Sequence, residues 1–186
     1  MNPRKLSHEL RKGHSPDLAR RRWIIGLNVL GTAMAQIVSL YQTGIVRRLP
    51  DPPLRYFDSS RVDASEYAYS RLRSPDGFMM LVSYGVTAWL AAAGGKDRAR
   101  QNPLLPIAMG VKAVVDSAVA VELAREEWRD NQAFCAYCQI ATLCSFASVI
   151  FAMPEVRRAI GYLRSKPDTN VVTETIESVR ELARGA

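Results

Sequence analysis

Residues 133–153 read AFCAYCQIATLCSFASVIFAM, a run of 21 residues without a charged side chain. A helix of about 20 apolar residues is long enough to cross the hydrocarbon core of a bilayer. Residues 23–46 and 77–95 also lack charged side chains, and a less regular apolar stretch covers 104–124. Buried helices of soluble proteins are usually shorter and keep a polar stripe. We therefore predict an all-α fold, a four-helix transmembrane bundle with spans at about these four positions.

The charges of the chain are concentrated outside these stretches. The 186 residues include 25 lysines and arginines and 18 acidic residues, for a net charge of +7, and the mean hydropathy of −0.08 resembles that of a soluble protein. The basic residues flank the apolar stretches and are not interleaved with aromatic residues in one patch. This distribution argues against a nucleic-acid partner and is typical of the charges that orient membrane helices.

Four spans would place both termini on the same side of the membrane. Sixteen lysines and arginines lie in the segments on that side, namely seven before Trp23, three within 96–100 and six after Met153, against eight in the two connections on the other side. Because positive charge accumulates on the cytoplasmic side, we predict cytoplasmic termini. The predicted organisation is a basic leader (1–22), a membrane domain (23–158) and an amphipathic cytoplasmic tail helix (159–186).

A connection of about thirty residues follows the first span and opens with the rigid sequence LPDPP at 49–53. Long connections in compact proteins are commonly functional, and we predict that this one forms an outer loop cap over the bundle. Within it, a short amphipathic helix is expected from Ser60 to Leu72, with Val62, Tyr69 and Leu72 facing inward. In the third span, Lys112 and Asp116 are four residues apart, on one helix face, and are expected to neutralise each other; a functional and a structural role both remain open for them.

The C-x-x-C motif at Cys135 and Cys138 begins the fourth span, at its predicted outer end. Amide dipoles at a helix start favour a thiolate, so redox chemistry is the first interpretation. The pair is alternatively half of a zinc site, two inert core residues, or a motif without its partners. Tetrahedral zinc needs four ligands, and the two histidines lie in the N-terminal tail,; we therefore predict no metal. Cys144, deeper in the span, is expected to be a packing residue.

Two motifs resemble the vitamin K epoxide reductase family of four-helix membrane thiol oxidoreductases. They are FCAYC at 134–138, followed by an apolar helix, and SSRVDAS at 59–65, which is similar to the family's Cys-Ser-Arg-Val-x-x-Ser run before the second helix. The resemblance covers roughly residues 23–158. It implies a bundle in the bacterial inner membrane that holds a quinone, of the ubiquinone or menaquinone type, at its outer mouth beneath the first loop.

The resemblance also implies roles for individual residues. Cys138 would be the thiolate that faces the quinone, and Cys135 would receive electrons from a thiol partner. Tyr84 and Phe134 would be walls or hydrogen-bond partners of the quinone, and Ser65 would hold the cap against the helices.

The sequence departs from the family in the first loop. There the family has a second cysteine pair that relays electrons from a thioredoxin-like protein, whereas this chain has Ser59 at the second position and a residue near Asp51 at the first. A fused thioredoxin-like domain is not expected after Lys166 either.

Three functions fit these observations. The first is a thiol:quinone oxidoreductase that takes electrons directly from a thioredoxin-like thiol partner. The second is a non-catalytic quinone- or lipid-binding protein, or a subunit of a larger membrane complex. The third is a redox sensor whose tail helix reports the state of the thiols.

Overall fold

The computed structural model describes residues 3–165, and regular structure within this range is helical, with one isolated bridge between residues 57 and 134. The elements are α1 (Pro3–Lys12), α2 (Pro16–Gln42), α3 (Ser59–Asp63), α4 (Tyr67–Ser70), a 3-10 turn (Arg71–Arg73), α5 (Asp76–Ala92), α6 (Arg98–Gln101), α7 (Leu104–Asn131) and α8 (Ala136–Ser165). The predicted all-α class is confirmed for these residues. The predicted tail helix overlaps the end of α8, and its remainder lies outside the described residues.

Three of the helices, α2, α7 and α8, are long and apolar enough to cross a membrane. Their outer surfaces carry large apolar side chains, among them Val111, Leu143 and Ile150, which are 58%, 67% and 70% exposed. A helix that is apolar on its outer face as well as its inner one is suited to lipid and not to water. The chain is therefore a multi-pass membrane protein. Helix α5 has 17 residues, a length of about 25 Å,.

The four long helices pack around one another in the order α2, α5, α7, α8. Helix α2 packs extensively on α5 and α8, and α7 packs on α8, whereas α5 and α7 meet over a smaller area. Glycines allow two of the close approaches: a Cβ at Gly31 would lie 2.6 Å from the ring of Tyr84, and one at Gly110 would lie 2.5 Å from Val156. Small residues at helix contacts are typical of membrane bundles. The loose contact between α5 and α7 leaves space for a cavity.

Buried arginines close the end of the bundle where α5 terminates. Arg21 is only 2% exposed and donates hydrogen bonds to the carbonyl oxygens of residues 91–95. Arg98 also donates to carbonyls there and forms a buried ion pair with Glu155, at 2.8 and 2.9 Å. The last carbonyls of a helix have no partner within it, and these guanidinium groups supply one. This end is distant from the start of α8, since Glu155 lies about 29 Å along that helix.

Three helices extend beyond the predicted spans, and one of them, α8, continues to Ser165, past the predicted end at residue 153. Helix α2 begins at Pro16, where the Ser15 hydroxyl accepts a hydrogen bond from the amide of Leu18 at 3.1 Å, and not near Trp23. Helix α7 continues to Asn131, past the predicted end near residue 124. Charged residues that mark the edge of a membrane do not end a helix, because the backbone hydrogen bonds continue past them.

The connection of residues 43–75 lies against the start of α8. Backbone hydrogen bonds join the amide of Phe134 to the carbonyl of Tyr56 at 2.8 Å, and the amide of Asp58 to the carbonyl of Phe134 at 3.1 Å. Val62 is fully buried as predicted, but the prediction for Leu72 is wrong, since its side chain is 84% exposed. The φ of Leu72 is +53° and that of the next residue is +51°, so helical periodicity does not continue to Leu72.

Candidate functional site

Cys135 and Cys138 lie where α8 begins, and both are buried free thiols. Cys135 directly precedes the first helical residue. Its carbonyl accepts the amide of Gln139 at 3.0 Å, and its sulfur accepts the amide of Cys138 at 3.2 Å, as an N-cap side chain would,. The helix start favours a thiolate at Cys135, whereas burial of the side chain favours the neutral thiol,. The two thiols are thus adjacent, held by the helix and shielded from water.

A carboxylate from the 43–75 connection completes this cluster. Asp63, the last residue of α3, is fully buried, and the thiol of Cys138 donates to its Oδ1 at a sulfur–oxygen distance of 3.8 Å. Its Oδ2 has no hydrogen-bond partner. One ligand atom from each of Asp63, Cys135 and Cys138 lies within 4.8 Å of the others. A tetrahedral zinc ion needs four ligands, so we do not identify this group of three residues as a metal site.

The electrostatic surroundings of Asp63 are acidic. Burial raises the pKa of Asp63 to about 7, and repulsion from Asp76 and Glu127 acts in the same direction. Hydrogen bonds from the thiols of Cys135 and Cys138 favour the carboxylate and oppose this rise in part. A carboxyl group with a pKa near neutrality can take up and release a proton under physiological conditions.

Glu127 of α7 fixes the start of α8. It is 1% exposed, and its Oε2 accepts the amide of Cys135 at 3.1 Å and the side-chain amide of Gln139 at 3.0 Å. The Tyr67 hydroxyl donates to its Oε1 at 3.4 Å. The first amides of a helix have no partner within it, so Glu127 both satisfies an amide beside the C-x-x-C motif and links it to α7.

Ser59 attaches the connection to the same helix start. Its hydroxyl donates to the carboxylate of Asp51 and accepts the amide of Ala136 at 2.9 Å, and its own amide donates to Asp51 at 2.9 Å. The family resemblance implies one loop cysteine at the position of Ser59 and the other near Asp51. Hydrogen bonds therefore join the two loop positions beside Cys135.

A cavity of about 330 Å³ opens beside Cys138. Along α7 its wall extends from Lys112 to Glu127, a length of about 22 Å,. Side chains from the connection, α5, α7 and α8 line it: Tyr67, Arg71, Asp76, Met79, Met80, Ser83, Tyr84, Lys112, Val115, Asp116, Val119, Ala120, Leu123, Glu127, Cys138, Ala141, Thr142 and Ser145. Most of this wall is apolar, as is usual for a pocket that binds a small organic molecule.

The predicted ion pair forms part of this wall. The Nζ of Lys112 lies 2.5 and 2.6 Å from the carboxylate oxygens of Asp116, and the hydroxyl of Ser83 contacts both residues at 2.7 Å. Thr87 donates to Asp116 at 2.9 Å. The pair is thus neutralised locally and links α5 to α7, which are the neighbouring long helices that pack least extensively.

The structure brings some of the predicted site residues together and separates others. Cys138 and Tyr84 line the cavity, and the Tyr84 hydroxyl donates to the carbonyl of Ala141 at 2.6 Å. Phe134 is not part of the cavity wall; it stacks on Trp128 with ring centroids 5.3 Å apart. Ser65 does not line the cavity either.

Ser65 instead contacts the end of α7. Its hydroxyl accepts a hydrogen bond from the side-chain amide of Asn131 at 3.4 Å and donates to the carbonyl of Val62 at 2.6 Å. Cys144 is 4% exposed within α8 and does not line the cavity. Ser65 therefore links the connection to the helices, and Cys144 is part of the packed interior.

Sequence reasoning missed Asp63 and Glu127. Asp63 occupies an unspecified position in the run at 59–65, and Glu127 lies in the charged stretch between the third and fourth predicted spans. In each segment, the sequence feature that could have indicated a buried acid is an acidic residue next to an apolar one. Only the fold places both carboxylates against the C-x-x-C motif.

Comparison with models of known protein families gives a match over most of the membrane part of the chain. The model of the vitamin K epoxide reductase family matches residues 22–153. No curated protein matches this chain, and no solved structure matches it.

Proposed function

Because this chain belongs to the vitamin K epoxide reductase family, we propose that it is a membrane thiol:quinone oxidoreductase. Cys135 and Cys138 pass two electrons from a thioredoxin-like thiol partner to a quinone. The observation that carries this proposal is the position of Cys138, which lines a largely apolar cavity while its partner thiol lies one helical turn away. Two thiols at this spacing can close a disulfide and release two electrons and two protons.

The cavity residues fit a quinone, which accepts two electrons and two protons when it is bound. Apolar side chains such as Met79, Met80 and Val119 would contact its ring and tail. A polar group on this wall that has no hydrogen-bond partner, and is therefore available to a carbonyl oxygen of the quinone, is Nη1 of Arg71. Tyr84 would serve as a wall, because its hydroxyl is already bonded to Ala141.

In this proposal Cys138 faces the quinone and Cys135 exchanges with the thiol partner. Cys135 is fully buried beneath the connection, and thiol exchange requires access for an incoming thiolate. Ser59 and Phe134 attach the connection at this point. We therefore expect the connection, as an outer cap that Ser65 helps to hold, to move aside when the partner reacts.

The proposed topology has four spans, with α5 as the second one. Val82 and Trp89 on α5 are both 67% exposed, which supports lipid contact for this shorter helix. With both termini cytoplasmic, the excess of lysine and arginine lies inside and the C-x-x-C motif lies at the outer face of a bacterial inner membrane, the side on which disulfides persist.

Burial of Cys135 also favours a second candidate. A non-catalytic quinone- or lipid-binding protein, or a subunit of a larger membrane complex, needs the cavity but no accessible thiol. Such a protein would have the same affinity for a quinone when both cysteines are replaced by alanine.

The test uses the full chain in lipid nanodiscs with a reduced dithiol and a short-chain quinone. We expect quinone reduction by the unaltered chain and none above background by Cys135→Ser or Cys138→Ser. Cys144→Ser is the matched control, because Cys144 is a buried thiol of the same helix outside the cavity. Equal rates in Cys138→Ser and the unaltered chain would refute the proposal. Quinone binding without turnover in all of the chains would favour the non-catalytic candidate.

A further inference from the structure

The carboxyl group of Asp63 is the one feature of the thiol cluster that the proposed reaction has not used. It is fully buried, it accepts the thiol of Cys138 on Oδ1 at 3.8 Å, and its Oδ2 has no partner. Burying a carboxylate without a compensating cation or a full set of hydrogen bonds is costly. Packing alone does not require such a group, since the preceding residue, Val62, already fills the adjacent core position.

The titratable groups that interact with Asp63 are acids, thiols and the tyrosines of α4. Glu127 approaches from α7 and Asp76 from the start of α5, and the thiols of Cys135 and Cys138 approach from the start of α8. None of these groups is a cation, so a proton is the charge partner that the cluster contains. The group nearest to the Cys138 sulfur that can accept a proton is therefore a carboxylate that is shielded from water.

We propose that Asp63 is a catalytic residue that accepts the thiol proton of Cys138 during oxidation of the thiol pair and returns it during reduction. This inference rests on the proposed function. In the forward direction the S–H bond of Cys138 breaks, the proton binds the carboxylate of Asp63, and the electron pair stays on sulfur, which then acts as the nucleophile. As the thiols are oxidised, the disulfide between Cys135 and Cys138 forms and the quinone gains two electrons and two protons. One of these protons comes from the thiol of Cys135 and the other enters through the cavity, while the proton of Cys138 stays on Asp63.

The reverse direction balances as well: of the two protons that the dithiol partner gives up, one binds Cys135 and the other leaves through the cavity. When a thiol partner reduces the disulfide, Cys138 leaves as a thiolate, and the protonated carboxyl group of Asp63 supplies its proton. Without Asp63, the buried thiolate of Cys138, which lies near two further acidic groups, would depend on a proton that enters from the cavity. Asp63 is thus proposed to act in both half-reactions.

The proposal predicts a specific pH profile. Asp63 must be a carboxylate to accept the proton, and its pKa is raised to about 7 by burial. The rate of thiol oxidation should therefore increase as the pH rises through about 7. In Asp63→Asn this increase should be absent, and the rate should rise only at higher pH, where the thiols ionise without help. Loss of general-base assistance typically slows a reaction about 10²-fold or more.

The experiment uses the reduced full chain in nanodiscs, with a metal chelator present, between pH 5.5 and 9. Two oxidants are compared: a short-chain quinone and a small aromatic disulfide, which reacts with thiols without needing a quinone site. Asp63→Asn, Asp63→Glu and Asp63→Ala are assayed beside Asp58→Asn. Asp58 is the matched control, because its exposed side chain caps α3 and asparagine is an equally good cap,.

We expect Asp63→Asn to lose the increase near pH 7 with both oxidants, Asp63→Glu to recover part of it, and added formate to accelerate Asp63→Ala. A purely structural role would not respond to formate. Identical profiles for Asp63→Asn and the unaltered chain, or no effect of formate on a folded Asp63→Ala chain, would overturn the inference. The two proposals fail separately: the profile can persist with the aromatic disulfide when quinone is not reduced, and quinone can be reduced when the profile does not depend on Asp63.

Discussion

Replacing Asp51 and Ser59 by cysteine should restore a loop disulfide beside the C-x-x-C motif. The side chains of these two residues meet, since the Ser59 hydroxyl donates to the Asp51 carboxylate and the Ser59 amide does so at 2.9 Å. The Ser59 hydroxyl also accepts the amide of Ala136 at 2.9 Å. A sulfur atom at position 59 would therefore lie next to Cys135, where it could exchange with the native pair.

The expected stability follows from the loop that the bridge closes. A disulfide across the nine residues 51–59 should stabilise the chain by about 2.6 kcal/mol through loss of unfolded-state entropy. The substitutions remove the Ser59 hydroxyl bonds to Asp51 and Ala136, at about 1–3 kcal/mol in total. The oxidised double variant should thus be about as stable as the unaltered chain, and its reduced form should be less stable by roughly 2.6 kcal/mol.

Two assays check this expectation. Mass spectrometry after alkylation counts the free thiols, and thermal unfolding in detergent compares the oxidised and reduced forms with Cys138→Ser present, so that the native pair adds no redox effect of its own. With the native pair intact, a thioredoxin-like protein should reduce quinone faster through the double variant than through either single variant. Free thiols at 51 and 59 after oxidation would refute the placement of the two side chains. A closed bridge without a faster rate would refute their proximity to Cys135.

Three further predictions concern stability, which thermal unfolding in detergent measures. Glu127→Leu leaves the buried amide of Cys135 without a partner and should lower the free energy of unfolding by about 1–3 kcal/mol,. Glu127→Gln keeps an acceptor oxygen and should lower it less; equal losses of stability in the two variants would contradict the role of Glu127 as acceptor. Arg98→Met and Glu155→Leu should each cost about 3–5 kcal/mol, and the double variant less than either, because a lone buried charge is the costly state,. The carboxyl group of Asp63 binds a proton more tightly in the folded chain than in the unfolded chain. Its contribution to the free energy of unfolding should therefore fall by up to about 4 kcal/mol as the pH rises from 4 to 7,. Asp63→Asn should remove this pH dependence.

The sequence predicted the helical class and the approximate positions of the long helices because uncharged runs of this length are a local property. The helix ends were predicted less well. Arg21 was assigned to a leader by its charge, yet it lies inside α2 and donates to carbonyls of α5. When the partners of a buried arginine are backbone carbonyls of another helix, no residue pattern near the arginine indicates them.

The candidate site was predictable only where its residues are neighbours in sequence. Cys135 and Cys138 form a motif that can be found without a fold. Asp63 lies 75 residues before its thiol partner. Glu127 is one of several charged residues in the segment that continues the α7 helix. Both residues were missed because a contact between distant segments depends on how the 43–75 connection packs, which periodicity does not specify.

The cost of burying Asp63 bears on the choice between an active site and a remnant of one. A remnant needs only side chains that pack, and Val62 and Cys138 already fill that part of the core. Asp63 instead adds a carboxyl group whose pKa is raised to about 7 by burial and whose Oδ2 lacks a partner, directly beside a thiol. Perturbed acids that are held against a nucleophile and next to a cavity are characteristic of catalytic sites. Proton exchange with Cys138 would give the buried carboxyl group of Asp63 a use, and this favours turnover over quinone binding alone.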